Sequence, residues 1–146
     1  MSDPSSSYVA EIRALLDARA AATRAKDVDG ATAACAHDVV TFDVVEPLQH
    51  AGVDSVRQRT ADWFATFDGP IGYELHDVRI AADEQVGFAS CLYRVSGKLQ
   101  AGGELGMWVR ATFGFHRIAG QWHITHEHDS VPFDPNTGQA SLALEP

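Results

Sequence analysis

The segment LGMWVRATFGFHRIAGQWHITHEHDS, Leu105 to Ser130, decides the fold. Leu105, Met107, Val109, Ala111, Phe113 and Phe115 occupy every second position. IAGQ then turns the chain, and Trp122, Ile124, His126 and His128 alternate again. A period of two marks strands whose alternate side chains lie on opposite faces of a sheet. The short Gly-containing turn makes the two runs a hairpin. If Trp122 and Ile124 face the core, His126 and His128 point the same way. His123, Thr125, Glu127 and Asp129 then face away.

The same period extends upstream. VGFASCLYRVS is a further long strand, joined through the turn AGG to the first of the pair. Before it, Ile71, Tyr73 and Leu75 alternate, and Val78 and Ile80 continue on the other parity. That change of phase predicts a bulge near His76–Asp77. Downstream, Val131–Pro132 ends the last strand and DPNTG leads into a short apolar tail with Leu142 and Leu144.

The N-terminal half has a different period. Val9, Ile12, Leu15, Leu16, Ala20 and Thr23 recur at helical spacing amid alanines, which predicts a helix over 8–26. KDVDGATAACAHD predicts a turn and a short helix over 28–36, and the β-branched DVVTFDVVEP a short strand over 39–44, stopped by Pro47. Val53, Val56, Thr60, Trp63, Phe64 and Phe67 mark a third amphipathic helix, ended by DGP. Helices first and an antiparallel meander afterwards read as α+β. The expected architecture is a curved antiparallel sheet wrapped around the N-terminal helices, a cone whose open end is a pocket for a small ligand. The domain reading is a flexible leader over 1–7, a single domain over 8–133 and a tail over 134–146.

Composition narrows the function. A net charge of −9 repels phosphate backbones and anionic lipid, so neither nucleic acid nor a membrane surface is an expected partner. MSDPSSSYVAEI has no basic or apolar signal region, and no apolar run approaches the roughly 20 residues of a membrane span. A cytoplasmic location is the expectation. Cys35 and Cys91 are too widely spaced for a CxxC site and sit in apolar stretches, so they read as buried reduced thiols. Neither has a clear base partner, and no GxSxG is present, which argues against a covalent nucleophile.

AKDVDG…HDVVTFD, HAGVDSVRQR and GQWHITHEHDS, set in this order of helices and strands, make the chain resemble the nuclear transport factor 2-like superfamily. Within it the chain is most similar to SnoaL-like and ketosteroid-isomerase-like bacterial proteins, from about Tyr8 to Phe133. The resemblance implies a cone-shaped pocket, homodimers packed through the sheet's outer face, and chemistry that generally works without metal or cofactor. In the ketosteroid isomerases a carboxylate at the end of the first strand shuttles the proton, and a Tyr and a protonated Asp form the oxyanion hole. Asp43 falls on the base's position. The helix position of the Tyr holds Arg19, and the strand position of the Asp falls on Ala111, so the oxyanion set is incomplete.

The candidate residues follow. Asp43, partly withdrawn from water after Phe42, suits a general base, or else caps a turn. His126 and His128 could exchange a proton near neutral pH, or orient a neighbour as hydrogen-bonded core residues. With His50 or Asp43 they could also offer metal ligands, but at no specific spacing. Arg110 could anchor a substrate anion, pair with Glu74, Glu104 or Asp129, or lie on a dimer face with Trp108. Alternation leaves open whether Trp108 and Arg110 or Met107, Val109 and Ala111 face the pocket. Trp63, Phe64 and Tyr73 are aromatic core or wall. Tyr93, beside small Ala89 and Cys91, is the favoured pocket hydroxyl, and His50 is a rim candidate. The leading expectation is a cofactor-independent isomerase, dehydratase or cyclase. It would act on an oxygenated apolar substrate, with Asp43 and His126 or His128 catalytic and Trp63, Phe64, Tyr93, Trp108, Arg110 and His50 binding. The alternatives are a non-catalytic small-molecule binder and a dimeric interaction module of the same fold.

Overall fold

The structure is a computed structural model and describes residues 3–146; the first two residues of the expected leader lie outside the described residues. Helix α1 spans Pro4–Arg24, four residues earlier than the apolar period suggests. The reason is local. Asp3 accepts a hydrogen bond from the Ser5 amide (3.0 Å), and Pro4, which needs no amide donor, occupies the first turn. Ile12, Leu16, Ala20 and Thr23 form its buried stripe.

Helix α2 is short, Val28–Thr32, capped by Asp27. The alanine run that extends it on propensity is diverted into strand β1, Cys35–Phe42. There Ala34 accepts a backbone hydrogen bond from Ile124 (2.8 Å) and Cys35 lies opposite Ile124. Pairing to a strand about ninety residues away overrides local helix preference. Strand β2 (His50–Ala51) and helix α3 (Val53–Ala65) follow, then β3 (Gly72–Ala82), β4 (Val86–Lys98), β5 (Glu104–Ile118) and β6 (Gln121–Ser130).

The six strands form one sheet in the order β2-β1-β6-β5-β4-β3. Only β1–β6 is parallel, so the sheet is mixed rather than wholly antiparallel, and its two edges do not meet. The helices cover its concave face. Arg24 donates to the Tyr73 carbonyl (2.7 Å), and the Trp122 indole donates to Glu11 (2.8 Å), which fastens α1 to both sides of the sheet. Ile12, Phe113, Phe115 and Ile124 are almost wholly buried between them. No helix among the described residues is long and apolar enough to cross a membrane.

Two irregularities set which side chains face inward. The bulge in β3 lies where the change of phase predicts, between His76 and Arg79, with Asp77 in the left-handed region (φ 53°). A second, in β6, overturns the expected parity. Gly114 pairs with His126, but the next pair is Phe115 with Ile124, which leaves Thr125 without an opposite residue. One extra residue reverses alternation beyond it. Trp122 and Ile124 are buried as expected, but so are Glu127 and Asp129, while His128 is exposed. His126 and His128 are thus not on the pocket side. His126 Nδ1 donates to the Val40 carbonyl (2.7 Å), and both imidazoles meet Phe42 edge-on, at 4.7 and 5.4 Å.

In β5 the open parity resolves in favour of Met107, Val109 and Ala111. Arg110 is exposed and donates to Ser130 (3.1 Å), and Trp108 packs against His76 at 4.7 Å on the outer face, so neither reaches the pocket. Phe113, 1% exposed, is a stringent test of the core. Phe113→Ala is expected to cost about 3–5 kcal/mol in urea unfolding.

Candidate functional site

The concave face holds an open cavity of about 130 Å³ between the sheet and all three helices. Its apolar wall is built from Trp63 and Phe64 on α3, Tyr73 on β3, Tyr93 on β4, and Met107 and Val109 on β5. Its polar wall has Arg19 on α1, Asp43 after β1, His50 on β2, Arg59 on α3, and Glu127 and Asp129 on β6.

The charges are organised in pairs. Arg59 Nε donates to Asp43 at 2.8 Å, with only 14% of the Asp43 side chain exposed. The other Asp43 oxygen accepts from the Val44 amide (2.6 Å), so the carboxylate is held from two directions. Deeper, Arg19 pairs with Glu127 and lies over the Phe113 ring, 5.3 Å from its centroid. Burial works against the Arg19 charge, but the Glu127 carboxylate outweighs it and keeps the guanidinium protonated, its pKa above the ordinary value.

Asp129 has no such partner. Burial drives its pKa well above the carboxylate range, and the neighbouring Glu127 carboxylate pushes it further. Arg19 pulls the other way, and Asp43 adds to the rise. Burial and the neighbouring charge thus favour the protonated carboxyl, the form that can donate a hydrogen bond. It lies opposite Ala111 across the β5–β6 ladder. A carboxyl thus stands one strand over from the β5 position at which the resemblance expects one.

The phenols of Tyr73 and Tyr93 stack at 4.7 Å, and burial raises the pKa of both, so they remain protonated donors. Burial likewise raises the Cys35 thiol, which borders the cavity, and pushes Cys91 up to about 11, so neither is a ready thiolate. His50 is oriented by a hydrogen bond between Nδ1 and Ser55 Oγ (3.0 Å). Among the described residues, four buried side-chain polar atoms lack a hydrogen-bond partner. Three belong to cavity residues: Arg19 Nε, His50 Nε2 and Asp129 Oδ1. Buried polar atoms are ordinarily paired, so these three remain open to hydrogen bonds from whatever occupies the cavity. No group of three or more His, Cys, Asp or Glu side chains among the described residues is placed to hold a metal ion.

Of the residues singled out in the sequence, Asp43, His50, Trp63, Phe64 and Tyr93 meet at the cavity, and His126, His128, Trp108 and Arg110 do not. The cavity adds Arg59, Glu127 and Asp129, and it gives Arg19, which stands where the resemblance expects Tyr, an ionic role. The one sign of the β6 shift in the sequence is Gly114, a strand glycine of the kind that marks bulges.

The profile of the SnoaL-like domain family matches residues 12–134. The chain is similar to the crystal structure of a nuclear transport factor 2-like protein of unknown function from Pseudomonas putida KT2440. The two are 31% identical over 97% of this chain and 99% of that one, with a TM-score of 0.89. A ketosteroid isomerase-like protein from Erwinia carotovora atroseptica SCRI1043 shares the fold at 20% identity, with a TM-score of 0.72 over 84% of this chain and 94% of that one. So does an uncharacterised protein with a cystatin-like fold from Caulobacter vibrioides, at 17% identity and a TM-score of 0.72 over 87% and 90%. No curated protein matches the sequence.

The raised Asp129 pKa has a measurable consequence. Below about pH 4, the unfolded value, the carboxyl is protonated in both states. Above it the unfolded chain releases a proton that the folded chain keeps, so stability falls as pH rises toward the folded pKa. The loss is at most about 1.4 kcal/mol per pH unit. Asp129→Asn, which is neutral throughout, is expected to flatten that decline and raise the melting temperature at pH 7, as read by thermal unfolding from pH 4 to 8.

Proposed function

The chain belongs to the SnoaL-like domain family, and from that footing we propose that its cavity is a cofactor-independent proton-transfer site for a small, oxygenated, largely apolar molecule. The nuclear transport factor 2-like fold is a small-molecule binding fold that includes isomerases and dehydratases. The observation that carries the reading is the meeting of two carboxyl groups in one cavity, Asp129 buried beside Glu127 and Asp43 paired with Arg59.

The two carboxyl groups take different parts because their surroundings differ. Asp43, fixed by Arg59 and the Val44 amide at the end of β1, is the base that removes a proton from a carbon beside the substrate's oxygenated centre. Asp129 takes the acid's part that the sequence offered to His126 or His128. Its O–H donates to the substrate oxygen on which negative charge develops. Tyr73 and Tyr93, held protonated, line the same wall. Arg19 and Glu127 neutralise one another and keep the floor of the cavity from adding net charge. The proposal includes a homodimer joined through the outer face of the sheet, where Phe88 is 52% exposed and Trp108 half-buried.

A second reading rests on the same ion pairs. Asp43 and Glu127 are both engaged by guanidinium groups, and carboxylates so engaged suit binding without turnover. Isomerisation of cyclohex-3-enone to its conjugated isomer, followed by ultraviolet absorbance, separates the two. Acceleration above buffer is expected. Asp43→Asn should lower it by about 10²–10⁴-fold and Asp129→Ala by about 10²–10³-fold. If both variants match the parent, or the ketone binds and is recovered unchanged, the catalytic reading fails.

A further inference from the structure

Resting on the reading of the cavity as the reaction site, we infer that its substrate is an uncharged, single-ring carbonyl compound. The size, the pairing of the charges and the orphaned polar atoms each restrict the ligand in the same direction.

Size comes first. The cavity measures about 130 Å³, close to the roughly 150 Å³ in which an apolar protein cavity takes up benzene. One six-membered ring with a small substituent fills it. The four-ring skeleton of a steroid would extend beyond it, which sets the chain apart from the substrates of the isomerases it resembles. The walls suit a flat apolar ring, with Trp63, Phe64 and the stacked pair Tyr73 and Tyr93 on its faces.

Charge comes second. Both cavity guanidinium groups are already matched, Arg19 by Glu127 and Arg59 by Asp43. An anionic ligand would have to displace a carboxylate from one of them, and would do so beside the remaining acidic groups. A cationic ligand would need Asp129 to ionise in a site whose burial favours the neutral acid. A neutral molecule incurs neither cost. The orphaned atoms then specify its polar part. Arg19 Nε is a donor left without an acceptor, so it calls for an acceptor oxygen. A carbonyl supplies one without charge.

The test measures binding, so it stands apart from turnover. The full chain labelled with ¹⁵N is titrated with cyclohex-2-enone, benzoate, benzylamine and a four-ring steroid ketone. Cyclohex-2-enone is expected to bind saturably and shift cavity amides. Benzoate and benzylamine should bind at least about tenfold more weakly, and the steroid should give no saturable shift there. Met107→Trp, which fills the cavity, should abolish enone binding; should that variant not fold, Leu105→Phe serves the same purpose. Benzoate or benzylamine binding as tightly as the enone overturns the inference. So does a steroid seated in the cavity, or no binding of the enone at millimolar concentration. Enone binding without isomerisation would instead defeat the catalytic reading and leave this one standing.

Discussion

A guanidinium inside the cone is the constraint on which the site depends. Arg19 projects from α1 toward the sheet, where an unpaired charge would be prohibitive. Its partner is Glu127, and Glu127 can reach it only because the bulge at Thr125 turns that residue inward. The same half-turn carries Asp129 inward two residues later. Arg19 is already engaged, so Asp129 is left with burial and a neighbouring carboxylate, and both favour its protonated form. One buried ion pair and one extra strand residue thus favour a protonated acid in the polar wall of the cavity.

The mouth repeats the pairing with a different outcome. Asp43 follows β1 and is met by Arg59 from α3, so the helix that supplies Trp63 and Phe64 to the wall also orients the carboxylate. The two ion pairs and the neutral Asp129 leave the cavity close to electrically balanced, although the chain as a whole carries −9. The surface charge and the site's charge therefore serve different ends. The first favours solubility, and the second sets the electrostatics of the cavity.

Much of this was legible in the sequence. The period of two in β3, β4 and β5, the period of helix α3, the bulge at His76–Asp77 and the apolar wall residues follow from local patterns, because each is written within ten or so residues. Asp43 was found through the resemblance, since one carboxylate at a strand end has no distinguishing local signature. The misreadings have particular causes. The alanines after Ala31 favour helix locally, yet Cys35 and Ala36 join a parallel ladder to a strand near the other end of the chain. His126 and His128 were placed inward by unbroken alternation, and Thr125 breaks it. Trp108 and Arg110 lie on the outer face, a choice alternation alone leaves undecided.

By itself the sequence determined the α+β class, the order of helices and strands and an apolar cone, and the family resemblance added a carboxylate near its mouth. Periodicity and turn chemistry act over short range and survive in a linear reading. Only the tertiary structure decided that Glu127 and Asp129, rather than His126 and His128, line the cavity. A strand's facing is set by the register it adopts against its neighbours, and one unpaired residue reverses it. The protonation of Asp129 is likewise tertiary, because it follows from what α1, β1 and β6 bring around it rather than from its neighbours in the chain.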